Sequence, residues 1–323
     1  MKSFKTTFHS LRAIIYSALF IPFLGIQSCG SSTQTETTAT EEEAPAPPVM
    51  EIVTETMDFQ MPDTIPSGWY TWRYHNNSNQ THFILIDDYP DGITLDSIKA
   101  RVLPVFGNGM ALLNEGKTDE GFAEFGNLPS WFSEVVWRGG VGLVSPEATT
   151  ESILKLSPGT YFVECYVKMN NGMFHTNMGM IKKLVVSDEV SSLAEPKADI
   201  SISLSGESGI TVDPPSVPGN YTFGVHFSDQ MIHENFVSHD LNLVRLQDNA
   251  NVQDLEAWMD WRDPKGLIEP APEGVIFLGG VNDMPAGETG YFSAQLVPGQ
   301  YAFISEVPNA SGKNLLKVFE ITQ

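Results

Sequence analysis

Apolar and polar residues alternate over short stretches along most of this chain, and that pattern predicts β-strands. Residues 69–74 (WYTWRY) and 83–86 (FILI) fit half-buried strands, because successive side chains of a strand point to opposite faces. Two segments have helical spacing instead: LDSIKARVL follows Thr94, and VQDLEAWM follows Asn251. Thr and Asn commonly cap helix N-termini. The chain is therefore predicted to be mostly β, with a helical excursion in each half.

The pattern occurs twice, which indicates an internal repeat. PSGWYTWRYH from Pro66 parallels PGNYTFGVH from Pro218, and the segment starting at His82 parallels the one starting at His239. A constant spacing of 140 residues relates Gly139 to Gly279, Pro158 to Pro298 and Tyr161 to Tyr301. The first copy carries an additional segment, 106–132, with short helical signals around 117–125. Two tandem β-sandwiches are expected, the first with a short helical insertion.

The first 50 residues differ in composition from the rest of the chain. A basic start, MKSFKTTFHSLR, precedes an apolar run over 13–26 that ends at Gln27-Ser28-Cys29, as in a secretory signal. A Cys in this place resembles the lipobox of bacterial lipoproteins, which implies lipidation of Cys29; an ordinary signal peptide with a coincidental Cys is the alternative. Residues 30–50 contain few large apolar side chains and are predicted to form a disordered tether.

Charge and cysteine content restrict the partners. The chain has 323 residues and a formal net charge of -22, which excludes nucleic acid as a partner and favours a basic partner protein. The expected location is outside the cytoplasm, with the protein attached to a membrane through the N-terminal lipid, either in the periplasm or at the cell surface. Cys29 and Cys165 are the only cysteines. If Cys29 carries lipid, Cys165 is left as a reactive thiol, a metal ligand or a core residue.

The segment around Cys165 carries the main indication of chemistry. Cys165 follows Pro158-Gly159-x-Tyr161 on a predicted strand, His175 and Met180 come after it, and His82 begins an earlier strand. Two His, one Cys and a weak Met are the ligands of thiolate-bound copper. The arrangement resembles the copper-binding end of a cupredoxin. That resemblance implies Greek-key sandwiches and copper bound by His82, Cys165, His175 and Met180, although cupredoxins usually place fewer residues between the Cys and the second His.

The turn between Cys165 and His175 decides whether the two side chains can meet. A two-residue loop, Asn171-Gly172, would pair Lys168 with His175 and place the imidazole on the face opposite Cys165. A three-residue loop, 170–172, with Gly172 in the left-handed conformation, would pair Val167 with His175 and place the imidazole on the Cys165 face. Both registers fit the sequence.

The second copy lacks the ligand set. His239 corresponds to His82, but Ser305 stands in place of Cys165, and EVPNASGKNLLKVFEI contains neither His nor Met. The predicted organisation is a signal peptide (1–28), a tether (29–50), a cupredoxin-like domain with the copper site (51–188), a linker (189–198) and a second cupredoxin-like domain (199–323).

The predicted function is copper binding at the cell envelope, for electron transfer or copper handling. The alternative is a metal-free module that recognises a protein or a glycan. Exposed Trp131 and Trp137 would suit contacts with such a partner. No catalytic residues are assigned and no enzymatic activity is expected, because no hydrolase, metalloprotease or nucleotide-binding signature is present and the paired His-x-His motifs of multicopper oxidases are missing. Asp87, Asp88 and Asp91 are interpreted as residues of a turn.

Overall fold

Fifteen strands and four α-helices make up the part of the chain that the computed structural model describes, residues 48–323. The strands are β1 (Val49–Thr54), β2 (Thr64–Asn76), β3 (His82–Asp88), β4 (Val136–Val144), β5 (Ala148–Leu156), β6 (Gly159–Glu164), β7 (Ile181–Val190), β8 (Ile200–Ser205), β9 (Gly209–Val212), β10 (Gly219–Phe227), β11 (Leu241–Leu246), β12 (Val275–Val281), β13 (Thr289–Leu296), β14 (Gly299–Ile304) and β15 (Leu316–Ile321). The helices are α1 (Leu95–Arg101), α2 (Leu103–Asn114), α3 (Thr118–Glu124) and α4 (Val252–Met259), supplemented by short 3-10 turns. The predicted signal peptide, Cys29 and nearly all of the tether lie outside the described residues.

The strands form two layers. One has the order β1-β2-β5-β13-β10-β8-β9, and the other has the order β15-β14-β11-β12-β4-β3-β6-β7. The long strand β2 belongs to both, because its first residues pair with β7 and the rest pair with β5. The layers face each other across the core, as shown by the Ser152 hydroxyl of β5, which donates to the Gly280 carbonyl of β12 at 2.8 Å. The mostly-β architecture predicted from the sequence is confirmed.

The internal repeat is visible in the strand order. In the first half β1 pairs with β2 in parallel, and in the second half β8 pairs with β10 in parallel. The order β7-β6-β3-β4 of the first half recurs as β15-β14-β11-β12. Residues 48–323 belong to one compact unit, because the two halves are joined edge to edge in both layers by the pairs β4–β12 and β5–β13.

The junction between the halves is symmetric. Val141 of β4 pairs with Val281 of β12, and Ser152 of β5 pairs with Phe292 of β13. Each pair is separated by the 140-residue repeat spacing, so each residue meets its own counterpart. The halves are thus related by a local two-fold axis, like the subunits of a symmetric dimer.

Helix starts agree with the sequence signals. The Thr94 hydroxyl accepts a hydrogen bond from the Ser97 amide at 3.2 Å. The Asn251 side chain accepts from the amides of Gln253 and Asp254. Both caps satisfy amides that the first helical turn leaves without a backbone partner. Among the described residues, no helix has the length and apolar character needed to cross a membrane.

Strand β3 differs from the prediction. The sequence indicates a half-buried strand, yet residues 82–87 are all buried. Its outer face is covered from two sides: Leu85 and Asp87 line a small cavity together with Phe106 and Phe132 of the helical insertion and with Phe236 and Trp261 of the second half. A strand buried on both faces is expected to be apolar throughout, which makes the buried Asp87 an exception.

Candidate metal centre

Three of the four predicted ligands converge at one point in the core. His82 begins β3, Cys165 follows directly after β6, and His175 begins the 3-10 turn before β7. The Cys165 Sγ lies 3.7 Å from His82 Nδ1 and 3.7 Å from His175 Nδ1. Their donor atoms all lie within 4.8 Å of one another, and all three side chains are fully buried.

The turn before His175 has the three-residue form. Amide-to-carbonyl hydrogen bonds connect Met169 to Met173 at 2.8 Å and His175 to Val167 at 2.8 Å, while Lys168 bridges to Phe174. Gly172 has a φ of 82°, the left-handed conformation that this loop type requires. Of the two registers that the sequence allows, the structure adopts the one that pairs Val167 with His175, and the imidazole therefore lies on the Cys165 face.

Met180 lies close to the other predicted ligands through its backbone. Its amide donates to the His175 carbonyl at 3.0 Å, and its carbonyl accepts from the Cys165 amide at 3.3 Å. Gly179, with a φ of 112°, ends the 3-10 turn between His175 and Met180. The Met180 side chain is fully buried. Met180 is thus joined to both Cys165 and His175 by backbone hydrogen bonds.

Burial sets the protonation of the three side chains. Loss of hydration lowers the pKa of His82 to about 3, with repulsion from His175 adding to the effect, and lowers the pKa of His175 to about 4. Burial raises the pKa of the Cys165 thiol to about 12, opposed by backbone hydrogen bonds from Phe83 and Val167. Both imidazoles are therefore neutral at pH 7, as metal ligands must be, and the thiol keeps its proton until a cation displaces it.

The distances fit a metal ion. A metal ion is bound at about 2.1 Å by nitrogen and at about 2.3 Å by sulfur. With an N–metal–S angle of about 110–120°, the nitrogen and sulfur atoms are roughly 3.6–3.8 Å apart. Both S–N separations here are 3.7 Å. The two Nε2 atoms are buried and have no hydrogen-bond partner in the described chain. The polar contacts of each imidazole are thus those made by Nδ1.

The second half has a hydrogen-bonded polar cluster in the same place. Ser305, the counterpart of Cys165, donates to Asp240 at 2.7 Å, and the Glu306 amide donates to the same carboxylate. His239, the counterpart of His82, is fully buried, and its Nε2 lies 3.0 Å from His233 Nε2. The absence of the thiol was predicted; the close approach of the half-buried His233 to the buried His239 was not.

Among known proteins, this chain is similar to solved structures only at low identity. No protein-family model matches the chain, and no curated protein matches it. Among solved structures, auracyanin A from Chloroflexus aurantiacus, described as a "blue" copper protein, is 21% identical over 44% of this chain and 100% of its own, with a TM-score of 0.27. Reduced auracyanin from Roseiflexus castenholzii is 19% identical over 44% of this chain and 98% of its own, with a TM-score of 0.25.

A third solved structure, a multicopper oxidase, covers more of the chain at a lower similarity. It is 10% identical over 85% of this chain and 88% of its own, with a TM-score of 0.21. The function of the chain is therefore inferred from the geometry of its three converging side chains.

Proposed function

We propose that this chain is a cupredoxin-like copper protein that transfers electrons, with His82, Cys165 and His175 as strong ligands and Met180 as the weak fourth. One observation carries the proposal: a buried thiol lies 3.7 Å from the Nδ1 atoms of two buried imidazoles. Copper bound there would supply a one-electron couple between Cu(I) and Cu(II). Each half is proposed to be a cupredoxin-like domain, spanning 51–188 and 199–323.

The donor set favours copper over zinc. Structural zinc sites have four strong N, S or O ligands in a tetrahedron. In the described part of the chain, the donor atoms of only three such side chains come within 4.8 Å of one another. The neighbour that the backbone fixes beside them is Met180, a soft thioether. Two imidazoles, a thiolate and a weak thioether are the set that electron-transferring copper prefers.

The burial of the ligands favours electron transfer over copper handling. A protein that passes copper to a partner needs ligands that the partner can reach, but His82, Cys165 and His175 are each 0% exposed. The backbone bond from His175 to Val167 and the bond from Cys165 to Met180 hold the ligands in place without a metal. A site arranged beforehand in this way lowers the rearrangement needed when the oxidation state changes.

The cellular setting is also a proposal. The sequence pattern around Cys29 supports an exported lipoprotein, anchored to a membrane at the cell envelope. The net charge of -22 would attract a basic redox partner by long-range steering. The second half, which has Ser305 and Asp240 in place of the thiol site, is proposed to be a structural or docking unit.

Copper titration of the full chain tests the proposal. Cys29→Ser is used as the background, so that Cys165 is the one thiol. We expect one equivalent of Cu(II) to produce an intense thiolate-to-copper absorption that disappears in Cys165→Ser and in His82→Ala. Stoichiometric Cu(I) binding without that absorption would favour copper handling, and no binding of either ion would leave a metal-free binding module.

A thiol moved to the other half provides a matched control. Cys165→Ser combined with Ser305→Cys keeps a single buried thiol but places it next to Asp240 instead of two imidazole Nδ1 atoms. We expect no absorption from this double variant. If it became as intensely coloured as the parent, the colour would not depend on the His82–Cys165–His175 arrangement, and the assignment would be wrong.

A further inference from the structure

Carboxylates accumulate where the two halves of the chain meet. Asp87, Asp240, Asp283 and Glu306 are buried, and Glu164 is half-buried beside them. Across the described residues, none of the ion pairs within 4.0 Å involves any of these five side chains. Burial raises the pKa of Asp87 well above its usual value, and repulsion from Glu164 and Asp283 raises it further. Among residues 48–323, no cationic side chain forms an ion pair with this group of carboxyls.

Two of these carboxylates have oxygen atoms without partners. Asp87 is 1% exposed, and neither of its carboxylate oxygens has a hydrogen-bond partner within the described chain. Asp283 is 6% exposed, and its Oδ1 is also without a partner there. Burying an acceptor without a hydrogen-bond partner destabilises the folded protein, and more so when the acceptor is charged. Native proteins retain few such groups, and those that remain often have a function.

Both side chains, together with Glu164, line a cavity of about 80 Å³. Most of its other walls are aromatic; they include Tyr89, Phe106, Phe132, Trp137, Phe236 and Trp261. Phe106 and Phe132 come from the helical insertion of the first half, whereas Phe236 and Trp261 come from the second half. The rings of Phe132 and Phe236 meet edge to face at 5.7 Å. The cavity therefore combines carboxylates with aromatic surfaces.

The cavity is separate from the metal centre. Glu164 and Tyr166 line it, while Cys165 between them points to the other side, where His82 and His175 lie. Phe174 and Thr176 line it as well, on either side of His175. Over residues 164–166 this is the alternation expected of extended backbone. The metal centre and the cavity thus occupy opposite faces of the same segments.

We propose that this cavity binds a small organic ammonium ion. Its positive head would lie against Asp87 and Asp283, and its alkyl groups would lie against the aromatic walls. Aromatic faces attract cations, most strongly at desolvated sites, and the unpaired carboxylates would gain the counter-charge they lack. The net charge of -22 would increase the local concentration of any cation.

A bare metal ion fits the cavity less well. In the described chain, His82, Cys165 and His175 are the one set of three metal-binding side chains whose donor atoms all come within 4.8 Å of one another. Asp87, Glu164 and Asp283 do not form such a set. Hard cations also prefer a shell of oxygen ligands and water, and the walls of this cavity are mostly aromatic. An organic cation can span the carboxylates and use the rings.

Calorimetric titration of the full chain with choline tests the inference. We expect saturable binding of one choline per chain, and at least tenfold weaker binding of 3,3-dimethyl-1-butanol, which has the same shape without the charge. Asp87→Asn and Asp283→Asn should each weaken choline binding at least tenfold. Asp188→Asn, which removes a charge from an exposed position on β7, should leave it unchanged.

Three outcomes would overturn the inference: no saturable choline binding, equal affinity for the neutral alcohol, or equal effects of Asp283→Asn and Asp188→Asn. Near-ultraviolet circular dichroism checks that each variant is folded. The comparison of choline with the alcohol needs no variant, so it decides the matter even if a substitution disrupts the fold. Because Asp87 and Asp283 are not copper ligands, copper titration of the same samples shows whether the copper proposal stands or fails separately.

Discussion

The amide of His175 donates to the carbonyl of Val167 at 2.8 Å, and this bond places the second imidazole on the same face as the thiol. Shifting the pairing by one residue would turn His175 to the opposite face of the hairpin, because side chains alternate along a strand. The candidate metal centre therefore depends on the length of one turn, residues 170–172.

Deleting Met173, an exposed residue between the turn and His175, tests that dependence. With the 170–172 turn kept, Met169 would pair with Phe174 and Lys168 with His175, and the imidazole would leave the thiol. We expect copper affinity to fall at least about 100-fold, since a ligand would be lost and even changes around the ligands typically cost 10- to 100-fold. Competition with a chelator measures the affinity. Deleting Glu207, in the exposed turn between β8 and β9, is the control and should leave the affinity unchanged.

Copper affinity should depend on pH through a single proton. The pKa of Cys165 is raised to about 12, so the thiol must lose a proton on binding, whereas the imidazoles, with pKa values of about 3 and 4, have already lost theirs above about pH 5. Affinity should rise about tenfold per pH unit between pH 6 and 9. Competition assays at each pH measure the slope. A slope of two or three protons would contradict the neutral state of the imidazoles.

The two-fold relation between the halves predicts equal effects of two substitutions. A Cβ at Gly140 would collide with the Ile84 carbonyl, and one at Gly280 with the Leu241 carbonyl; the two φ angles are 150° and 151°. Gly140→Ala and Gly280→Ala should each lower the free energy of unfolding by about 3 kcal/mol or more. Urea denaturation measures the loss.

Gly287 provides the control for this pair. Its φ is 82°, but a Cβ there would meet no atom within 4 Å. Gly287→Ala should cost only the strain of the left-handed conformation, about 1–2 kcal/mol. Equal losses at all three glycines would show that the collisions with the β3 and β11 carbonyls contribute nothing.

Removing a buried charge at the junction should stabilise the protein at neutral pH. Burial, followed by repulsion from Asp240, raises the pKa of Asp283 well above its usual value. Below the pKa of the unfolded state, such a carboxyl is protonated in both states and does not change the free energy of unfolding. As the pH rises from that value toward the pKa of the folded state, the carboxyl lowers the free energy of unfolding increasingly. Asn does not titrate, so Asp283→Asn should stabilise more at pH 7 than at pH 4. Urea unfolding at both pH values measures the stabilisation. A larger increase in the free energy of unfolding at pH 4 than at pH 7 would contradict a raised pKa of Asp283.

Local features of the chain were predictable from the sequence. The 140-residue repeat, the caps Thr94 and Asn251 and the alternation in β2 depend on neighbouring residues, whose preferences are written in short segments. The candidate ligands could also be named, because a lone Cys followed by His and Met on predicted strands is a chemical pattern. The register of the 170–172 turn remained undecided, since both loop lengths suit the same residues.

The tertiary structure decided the features that depend on distant contacts. The pairing of Val141 with Val281 joins residues 140 positions apart, and no local preference specifies which strand edges meet. Asp87 follows an apolar strand and resembles a turn residue; only the packing of the helical insertion and of the second half over β3 encloses it among aromatic rings. Sequence determined the elements and the possible ligands. Long-range packing determined which side chains lost their water, and desolvation controls their charge and their chemistry.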